Sequence, residues 1–267
     1  MPASDATRLR APLEAIMREA GAIARAKARG ELKRWTKEAD RSPVSEGDIA
    51  VNDFLRARLG ALMPEAGWLS EETAEQPDMA AGAPLWIVDP IDGTRAYLAG
   101  RPDWTVSVAL AEGGRPVLAA LYAPVSEEMF LAVGGKGATR NDAPMTASGD
   151  ASLAGARLAG PKRYLDRLAS LNPEIVAQPK VFSLALRLTR VAQGELDAAF
   201  ASAGSHAWDL AAADLLVHEA GGVMTDFIGR PLNYDRPEAD QGALIAAGRA
   251  RHAALIELAR DRLAEFA

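Results

Sequence analysis

The stretch from Trp86 to Thr94 constrains the fold most, because in it a short apolar run ends at two carboxylates, a proline, a glycine and a hydroxyl. The apolar residues 85–88 predict a buried strand. Asp89 then falls where this strand leaves the core, which is where open α/β sheets place their sites. Pro90 fixes its own φ angle and removes a backbone donor, so Asp89 is held extended and Asp92 can return to the same side.

Asp89 and Asp92 would repel each other if they pointed at one place, and a divalent cation between them removes that cost. Hard carboxylate oxygens favour Mg²⁺ or Mn²⁺ over zinc. Gly93 and Thr94 follow at the predicted start of a helix, whose free N–H groups and positive dipole end suit a phosphate. The alternative is that Asp-Pro and Asp-Gly merely mark turns, as such dipeptides commonly do. The stretch alone leaves both interpretations open.

The composition is that of an ordinary globular protein with enough residues for a large core. The chain has 267 residues, of which 49% are hydrophobic and 25% charged, with a net charge of −6 and no cysteine. An acidic chain lacks the basic face that nucleic-acid binding requires. Without cysteine there are no disulfides, thiolate nucleophiles or Cys-ligated zinc. No apolar run reaches membrane-spanning length and the N-terminus has no apolar leader, so we expect a cytoplasmic protein that binds neither nucleic acid nor membrane.

Hydrophobic periodicity and turn residues divide the chain into two lobes, 1–148 and 149–267, with the boundary in a small, polar stretch over 145–151. In the first lobe we predict a helix over 7–29, polar turns over 33–45, a second helix capped by Ser45, strands at 68–70 and 85–88, and hairpins of 104–111 with 116–122 and of 129–133 with 138–140. In the second lobe we predict strands at 154–159, 196–201 and 243–246, and helices at 164–170, 183–193, 210–219 and 249–266.

Two further motifs are assigned structural roles. The Gly-Gly-Lys-Gly sequence at 134–137 has neither the Walker spacing nor a following helix, so it predicts a hairpin turn and not a phosphate loop. His206 lies beside Trp208 and is predicted to be a packing residue, or one that supports a neighbouring site residue, rather than a general base. Ser205 and His206 have no orienting acid, which argues against a serine-type triad.

Other carboxylates lie near the ends of predicted elements. Glu71 and Glu72 follow a short strand and come just before the central strand, which makes a ligand role plausible. Asp48 lies in the first turn of the second helix, where a carboxylate usually compensates the helix dipole, contributing about 0.3–1 kcal/mol. Asp209 repeats the arrangement of the first lobe, since it is an acid at the opening of a helix that follows a strand.

Taken in order, these segments resemble the inositol monophosphatase superfamily of metal-dependent, lithium-sensitive phosphomonoesterases. The matching pieces are residues 37–48 with Ser-Pro-Val inside, Glu71-Glu72, Asp89-Pro90-Ile91-Asp92-Gly93-Thr94, Trp208-Asp209-Leu210-Ala211-Ala212-Ala213-Asp214 and Glu219-Ala220-Gly221-Gly222. The resemblance spans nearly the whole chain. It implies an α/β (α+β) fold, a layered αβαβα sandwich of the inositol monophosphatase and fructose-1,6-bisphosphatase type. It also implies a homodimer that hydrolyses a small-molecule phosphate ester.

The resemblance also implies the site residues. Its metal ligands are Glu71, Asp89, the carbonyl of Ile91, Asp92 and Asp209, and they hold two or three Mg²⁺ ions or, alternatively, Mn²⁺. Its catalytic residues are Glu71, Thr94 and Asp48, of which the last two orient and deprotonate the attacking water. Gly93 and Thr94 hold the phosphate, and Glu72 is expected just outside the ligand set. Two such cations about 3.5–4 Å apart lower the pKa of a bound water and stabilise the leaving oxygen.

Two positions outside the metal ligands bear on the substrate. Inositol-selective members of the superfamily place an acid six positions before the Trp208 equivalent, and this chain has Ser202 there. Relatives that cleave 3'-phosphoadenosine 5'-phosphate place a basic residue on the preceding helix, where this chain has Arg187. A guanidinium can hold a second phosphate bidentately, although Arg187 could equally be a solvated helix charge. The segments 37–44 and 122–125 also look more like this subgroup.

We therefore predict a 3'(2'),5'-bisphosphate nucleotidase that releases AMP and phosphate. The alternative is an inositol-1-monophosphatase or another sugar phosphatase, and fructose 1,6-bisphosphate is also compatible with the shared chemistry. An alternative of another class is a catalytically silent protein that acts by binding a partner.

Overall fold

A computed structural model describes residues 3–30, 32–37, 42–73, 82–235 and 242–260 of the chain. The helices of this part are α1 (Ala3–Ala28), α2 (Glu46–Leu62), α3 (Thr94–Leu98), α4 (Lys162–Leu171), α5 (Leu184–Ala192), α6 (Ala207–Glu219) and α7 (Arg249–Arg260). The first strands are β1 (Arg34–Thr36), β2 (Pro43–Ser45), β3 (Gly67–Ser70), β4 (Leu85–Asp92), β5 (Thr105–Glu112), β6 (Arg115–Ala123), β7 (Glu128–Val133), β8 (Ala138–Arg140) and β9 (Ala143–Pro144). The later strands are β10 (Arg157–Ala159), β11 (Val176–Ala177), β12 (Ala198–Ala201), β13 (Gly222–Asp226) and β14 (Leu244–Gly248).

The elements stack in five layers. Helices α1 and α2 cover one face of a seven-stranded sheet in the order β3-β4-β5-β6-β7-β8-β9. Helices α5 and α6 lie between the other face and a five-stranded sheet in the order β11-β10-β12-β14-β13. Helices α4 and α7 cover the outer face of this second sheet. The order helix, sheet, helix, sheet, helix confirms the predicted αβαβα sandwich.

Strand β4 lies at the centre of this arrangement, and all eight of its residues are buried. Because side chains alternate along a strand, Trp86 and Val88 pack towards α1 and α2, whereas Leu85 and Ile87 pack in the cluster that contains α6. The strand pairs in parallel with β3 and antiparallel with β5. Burial on both faces explains the continuous apolar run that the sequence shows here.

Helix α6 is buried between the two sheets, and its composition allows this position. Ala211, Ala212 and Ala213 are buried together with the leucines around them. Small side chains let sheets approach a helix from both sides, and a helix that is apolar all round belongs in a core. The apolar cluster around α6 contains residues from both 1–148 and 149–267. The division into two lobes stays a prediction.

Most predicted elements are present. The predicted N-terminal helix is α1, and Ser45 caps α2 by accepting a hydrogen bond from the Gly47 N–H at 3.1 Å. Both predicted hairpins form, as β5–β6 and β7–β8. The predicted helix over 249–266 is α7 as far as Arg260, and 261–266 lie outside the described residues. Every helix of the described part is too short or too polar to cross a bilayer.

The prediction of turns over 33–45 was wrong at both ends, because β1 and β2 pair there as an antiparallel ladder. These strands have three residues each, and β1 is exposed, so no hydrophobic alternation marks it. Residues 38–41, which belong to the family-like segment 37–48, lie outside the described residues. Strand β13 was also missed because its first residue, Gly222, belongs to a glycine pair that the sequence indicates as a helix stop.

The glycine cluster at 134–137 forms the turn between β7 and β8, as predicted. Gly135 and Gly137 have φ angles of +72° and +84°, a region that favours glycine. Their N–H groups donate to the two carboxylate oxygens of Glu219 at 2.8 Å each. The anion bound by this loop is therefore a side chain at the end of α6, and the contact joins the first sheet to the central helix layer.

Candidate active site

Three carboxylates from distant parts of the chain converge at the end of β4. Asp89 and Asp92 come from β4 and Asp209 from the first turn of α6, and one oxygen from each lies within 4.8 Å of the others. Asp89 is 1% exposed and Asp92 is 5% exposed. They line a cleft of about 230 Å³. Its lining residues are Ser42, Pro43, Glu71, Asp89, Asp92, Gly93, Thr94, Arg95, Lys180, Phe182 and Asp209.

A β-bulge places Asp89 and Asp92 on the same side. Asp89 pairs with Ser107 and Asp92 with Thr105, so three steps along β4 correspond to two along β5. In a regular strand, residues three apart point to opposite faces, and one extra residue restores the same face. Pro90 lies within the bulge, where its missing N–H costs no ladder hydrogen bond. Asp89 accepts a hydrogen bond from the Ile91 N–H at 3.0 Å, which fixes one of its oxygens.

Asp209 is positioned by the helix that it helps to start. Its Oδ2 accepts a hydrogen bond from the His206 N–H at 2.9 Å, an interaction at the N-terminus of α6. His206 itself stacks on Trp208, with ring centroids 4.5 Å apart and planes 17° from parallel. This contact agrees with the predicted packing role of His206.

Glu71 follows β3 and lines the same cleft, but it is held by a lysine rather than by the three aspartates. Lys37 Nζ lies 2.9 Å from Glu71 Oε1 and 2.8 Å from Glu72 Oε1, and it also donates to the Glu71 carbonyl at 3.2 Å. Burial raises the pKa of Glu72 to about 7, an effect that the hydrogen bond from Lys37 opposes. The sequence suggested no such partner for the two glutamates.

Thr94 and Asp48 lie within hydrogen-bonding distance, as the predicted pair requires. Thr94 Oγ1 is 3.2 Å from Asp48 Oδ1 and 3.1 Å from the Ile91 carbonyl oxygen. Asp48 Oδ2 accepts from the Ser45 N–H at 2.8 Å and from Ser45 Oγ at 2.6 Å, which completes a capping box. Asp48 therefore caps α2 with one oxygen and accepts from Thr94, which lines the cleft, with the other, and burial raises the pKa of Asp48.

Gly93 turns the chain from β4 into α3 at a position that only glycine fits. Its φ angle is +91°, and a Cβ atom there would lie 3.1 Å from the Ser183 nitrogen and 3.2 Å from the Asp103 carbonyl oxygen. Both the conformation and the close backbone approach exclude a side chain. Thr94 then begins α3, as predicted.

The electrostatics of the site suit a cation. Burial raises the pKa of Asp89 well above its usual range, and Glu71, Asp92 and Asp209 add to the shift. Burial also raises the pKa of Asp92 to about 6, although hydrogen bonds from Ser183 and from backbone N–H groups oppose it. Burial and the charge of Asp92 raise the pKa of Asp209 to about 8. Buried, mutually repelling carboxylate oxygens are a donor set that fits a hard divalent cation.

Arg187 and Ser202 line a second cleft of about 650 Å³ and not the first. Its other lining residues are Gly160, Pro161, Lys162, Leu165, Asp166, Ala177, Gln178 and Lys180. Lys180 belongs to both clefts, so they are neighbours. Arg187 is half-buried: burial lowers its pKa, and the charges of Asp92 and Asp209 oppose this. Arg187 is therefore not the fully solvated helix charge of the alternative interpretation.

Besides Lys37, sequence reasoning missed Lys180, which lines both clefts, and Ser183, which contacts Asp92. Lys180 borders both clefts, with Nζ 4.5 Å from the centroid of the Phe182 ring. Ser183 donates to Asp92 at 2.5 Å. A serine before an apolar helix pattern signals an N-cap, but no pattern in the chain indicates that this cap would also bind a carboxylate 91 residues away.

Enzymes that use metal ions on phosphate esters cluster carboxylates in this way, and the fold and cleft place the chain among metal-dependent phosphatases. Residues 5–264 match the Inositol monophosphatase family, and the chain belongs to that family. The resemblance predicted from the sequence is thereby confirmed, as is the predicted enzyme class, a metal-dependent phosphoric monoester hydrolase.

The relatives that match this chain carry names that describe different functions. An inositol-1-monophosphatase of Mesorhizobium japonicum is 32% identical over 231 residues, which cover 82% of this chain and 84% of the relative. A 3'(2'),5'-bisphosphate nucleotidase CysQ of Aggregatibacter actinomycetemcomitans is 30% identical over 211 residues, covering 74% and 77%. The crystal structure of the extragenic suppressor protein suhB from Bartonella henselae has a TM-score of 0.81 at 28% identity, covering 92% of this chain and 96% of that one.

Proposed function

We propose that the chain hydrolyses a small phosphate monoester in the first cleft. The proposed ligands of two or three Mg²⁺ ions, or of Mn²⁺, are Glu71, Asp89, the carbonyl of Ile91, Asp92 and Asp209. The observation that carries the proposal is the convergence of three carboxylate oxygens within 4.8 Å at one cleft. Burial, reinforced by repulsion among the carboxylates, raises the pKa of Asp89 and of Asp209, and a bound cation would offset both effects.

Bound Mg²⁺ would neutralise charge on the phosphate and make water a better nucleophile. Thr94 and Asp48 are proposed to move the proton. Thr94 Oγ1 takes a proton from the attacking water while its own proton passes to Asp48 Oδ1, 3.2 Å away. The raised pKa of Asp48 makes it a better acceptor than an exposed aspartate. We propose that the N–H groups of Gly93 and Thr94 hold the phosphate.

For the substrate we propose a 3'(2'),5'-bisphosphate nucleotide, such as 3'-phosphoadenosine 5'-phosphate. The support is the second cleft, which adjoins the first and is lined by the cationic side chains of Arg187, Lys180 and Lys162. An ester with a second phosphate would place that group near Arg187. Ser202 has a hydroxyl at the position where inositol-selective members of the superfamily have an acid. The second candidate is inositol 1-phosphate, and its support is the similarity of the chain to the inositol-1-monophosphatase of Mesorhizobium japonicum.

Phosphate release from four esters tests both candidates. The panel is 3'-phosphoadenosine 5'-phosphate, inositol 1-phosphate, fructose 1,6-bisphosphate and AMP, each measured in Mg²⁺ and in EDTA. We expect Mg²⁺-dependent release with the highest kcat/KM on the adenosine bisphosphate. A higher kcat/KM on inositol 1-phosphate would refute the nucleotide proposal, and no release from any ester would support a silent binding protein.

Two arginine variants locate the specificity. Arg187→Gln should lower kcat/KM on the adenosine bisphosphate about 10- to 100-fold, because a hydrogen bond to a charged group contributes about 1.5–3 kcal/mol. The effect on inositol 1-phosphate should be much smaller. Arg163→Gln is the matched control, since Arg163 is an exposed arginine of α4 that stacks on Tyr164 outside both clefts. Equal losses on both substrates would contradict a second-phosphate role for Arg187.

We also propose, on the family resemblance, that the protein is a cytoplasmic, lithium-sensitive homodimer. Sedimentation equilibrium tests the dimer, and inhibition of phosphate release by LiCl but not by KCl tests the lithium sensitivity. A monomeric sedimentation profile would contradict the first proposal, and equal effects of the two salts would contradict the second.

A further inference from the structure

We infer that Ser183 is a positioning residue that fixes the Asp92 carboxylate for metal binding, an inference that rests on the proposed function. Ser183 directly precedes α5 and is fully buried at 0% exposure. Its Oγ donates to Asp92 Oδ2 across 2.5 Å. A residue of the second half of the chain thus holds a proposed ligand of the first half.

Counting protons shows that the Ser183 hydroxyl has one orientation. It accepts a hydrogen bond from the Leu186 N–H at 2.9 Å, and Thr105 Oγ1 lies 3.0 Å away. A hydroxyl has one proton and two lone pairs, whereas an ionised carboxylate only accepts. The Ser183 proton therefore goes to Asp92, and Thr105 donates to Ser183. The proton and both lone pairs of the Ser183 hydroxyl are therefore all engaged, so the hydroxyl cannot rotate without breaking a buried hydrogen bond.

The first turn of α5 fixes the rest of the carboxylate. The Ala185 N–H donates to Asp92 Oδ2 at 2.7 Å and the Leu184 N–H donates to Oδ1 at 3.1 Å. A carboxylate has about four lone-pair sites, so these contacts and the one from Ser183 leave a single site, on Oδ1. We assign that site to the metal ion.

The Ser183 backbone is held as firmly as its side chain. The Ser183 N–H donates to the Asp103 carbonyl at 3.1 Å, and the preceding Phe182 N–H donates to Asp103 Oδ2 at 2.9 Å. Asp103 lies just before β5, the strand that pairs with β4 beside Asp92. The contact surface between the two halves therefore determines which way the Asp92 carboxylate faces.

Equilibrium Mn²⁺ binding, measured by titration calorimetry on the full chain, tests the inference. Ser183→Ala should weaken Mn²⁺ binding about 10- to 100-fold, the usual effect of removing a group that orients a metal ligand. Because Ser183 also caps α5, the variant loses stability for a reason unrelated to metal. Ile245→Val is the matched control, since Ile245 packs in the outer cluster with α4 and α7 and lines neither cleft. It should bind Mn²⁺ within twofold of the wild type.

The outcomes separate this inference from the proposed function. Wild-type affinity in folded Ser183→Ala would overturn the role of Ser183 and leave the metal site intact. A wild-type protein that binds no Mn²⁺, or an Asp89→Asn variant that binds it as well as wild type, would instead overturn the proposed function. If Ser183→Ala does not fold, Ser183→Cys replaces it, because a thiol is of similar shape but a weak donor, and the same loss of affinity is expected.

Discussion

Replacing Asp89 by asparagine should stabilise the metal-free protein and remove its response to Mg²⁺. The side chains are nearly isosteric, so the substitution changes charge and leaves packing unchanged. Asp89 is buried, and its pKa is raised by burial and by three neighbouring carboxylates that line the cleft with it. A neutral amide relieves this repulsion in the absence of a cation, and it supplies a weaker ligand in its presence.

The size of the effect follows from the geometry. Two unit charges 4.8 Å apart, the limiting oxygen separation in this cluster, repel by about 3.5 kcal/mol at an effective dielectric constant of about 20. In the wild type, protonation already relieves much of this repulsion, since the pKa of Asp209 is raised to about 8. We therefore expect Asp89→Asn to gain about 1–2 kcal/mol in EDTA, a fraction of one pair energy. Wild type at Mg²⁺ of 100 times Kd should gain about 2.7 kcal/mol, and the variant almost none.

Thermal unfolding at pH 7.5 in EDTA and in Mg²⁺ measures both quantities. For a chain of this length 1 kcal/mol shifts Tm by about 2–4 °C, so the wild-type response to Mg²⁺ should be about 5–10 °C. Asp53→Asn is the matched control, because Asp53 is exposed on α2 and lies outside the cleft. An Asp89→Asn protein that is less stable than wild type in EDTA, or that keeps the full Mg²⁺ response, would refute the electrostatic reasoning.

Three further outcomes are expected. The Mg²⁺-induced rise in Tm should grow between pH 5.5 and 8, because Asp92 and Asp209, with pKa values raised to about 6 and about 8, must lose protons to bind metal. Thr94→Val should lower kcat about 10²- to 10⁴-fold, the usual contribution of a positioned proton-transfer group, with Mn²⁺ affinity unchanged. His252→Gln should make the folded protein less sensitive to acid. Burial, reinforced by nearby positive charge, lowers the pKa of His252 from 6.5 to about 4. The contribution of His252 to the free energy of unfolding is therefore complete above pH 6.5 and is lost as the pH falls towards 4.

Each of these has a contradicting result. A Mg²⁺ response that is flat with pH would show that protons and metal do not compete at the site. Loss of Mn²⁺ binding in Thr94→Val would place that residue in the ligand set instead of the proton path. Urea unfolding at pH 4.5 and pH 7 measures the third expectation, and an unchanged difference between these pH values in His252→Gln would contradict it.

The parts of the fold that the sequence predicted are those whose signal is local. The run 85–88 identified β4, and Ser45 before an apolar periodic stretch identified the start of α2, because an N-cap serine is a local sequence signal. Strand β1 was missed because a three-residue exposed strand carries no hydrophobic alternation. Strand β1 is defined by its pairing with β2, and the residues of β1 alone do not indicate that pairing.

The candidate site divides in the same way. The carboxylates Asp89, Asp92 and Asp209 were found because acids at the ends of elements stand out in the sequence, and the family resemblance connected them. The sequence did not predict the bulge that brings the first two to one face, since its extra residue is defined only by pairing with β5. Nor did it predict Lys37 against Glu71 or Ser183 against Asp92, because these contacts depend on how distant segments pack.

Anomalous diffraction from crystals soaked in Mn²⁺ tests the central claim most directly. The account predicts at least one strong peak within bonding distance of carboxylate oxygens of Asp89, Asp92 and Asp209, which already lie within 4.8 Å of one another. Saturating Mn²⁺ that leaves no peak among these three side chains would contradict it.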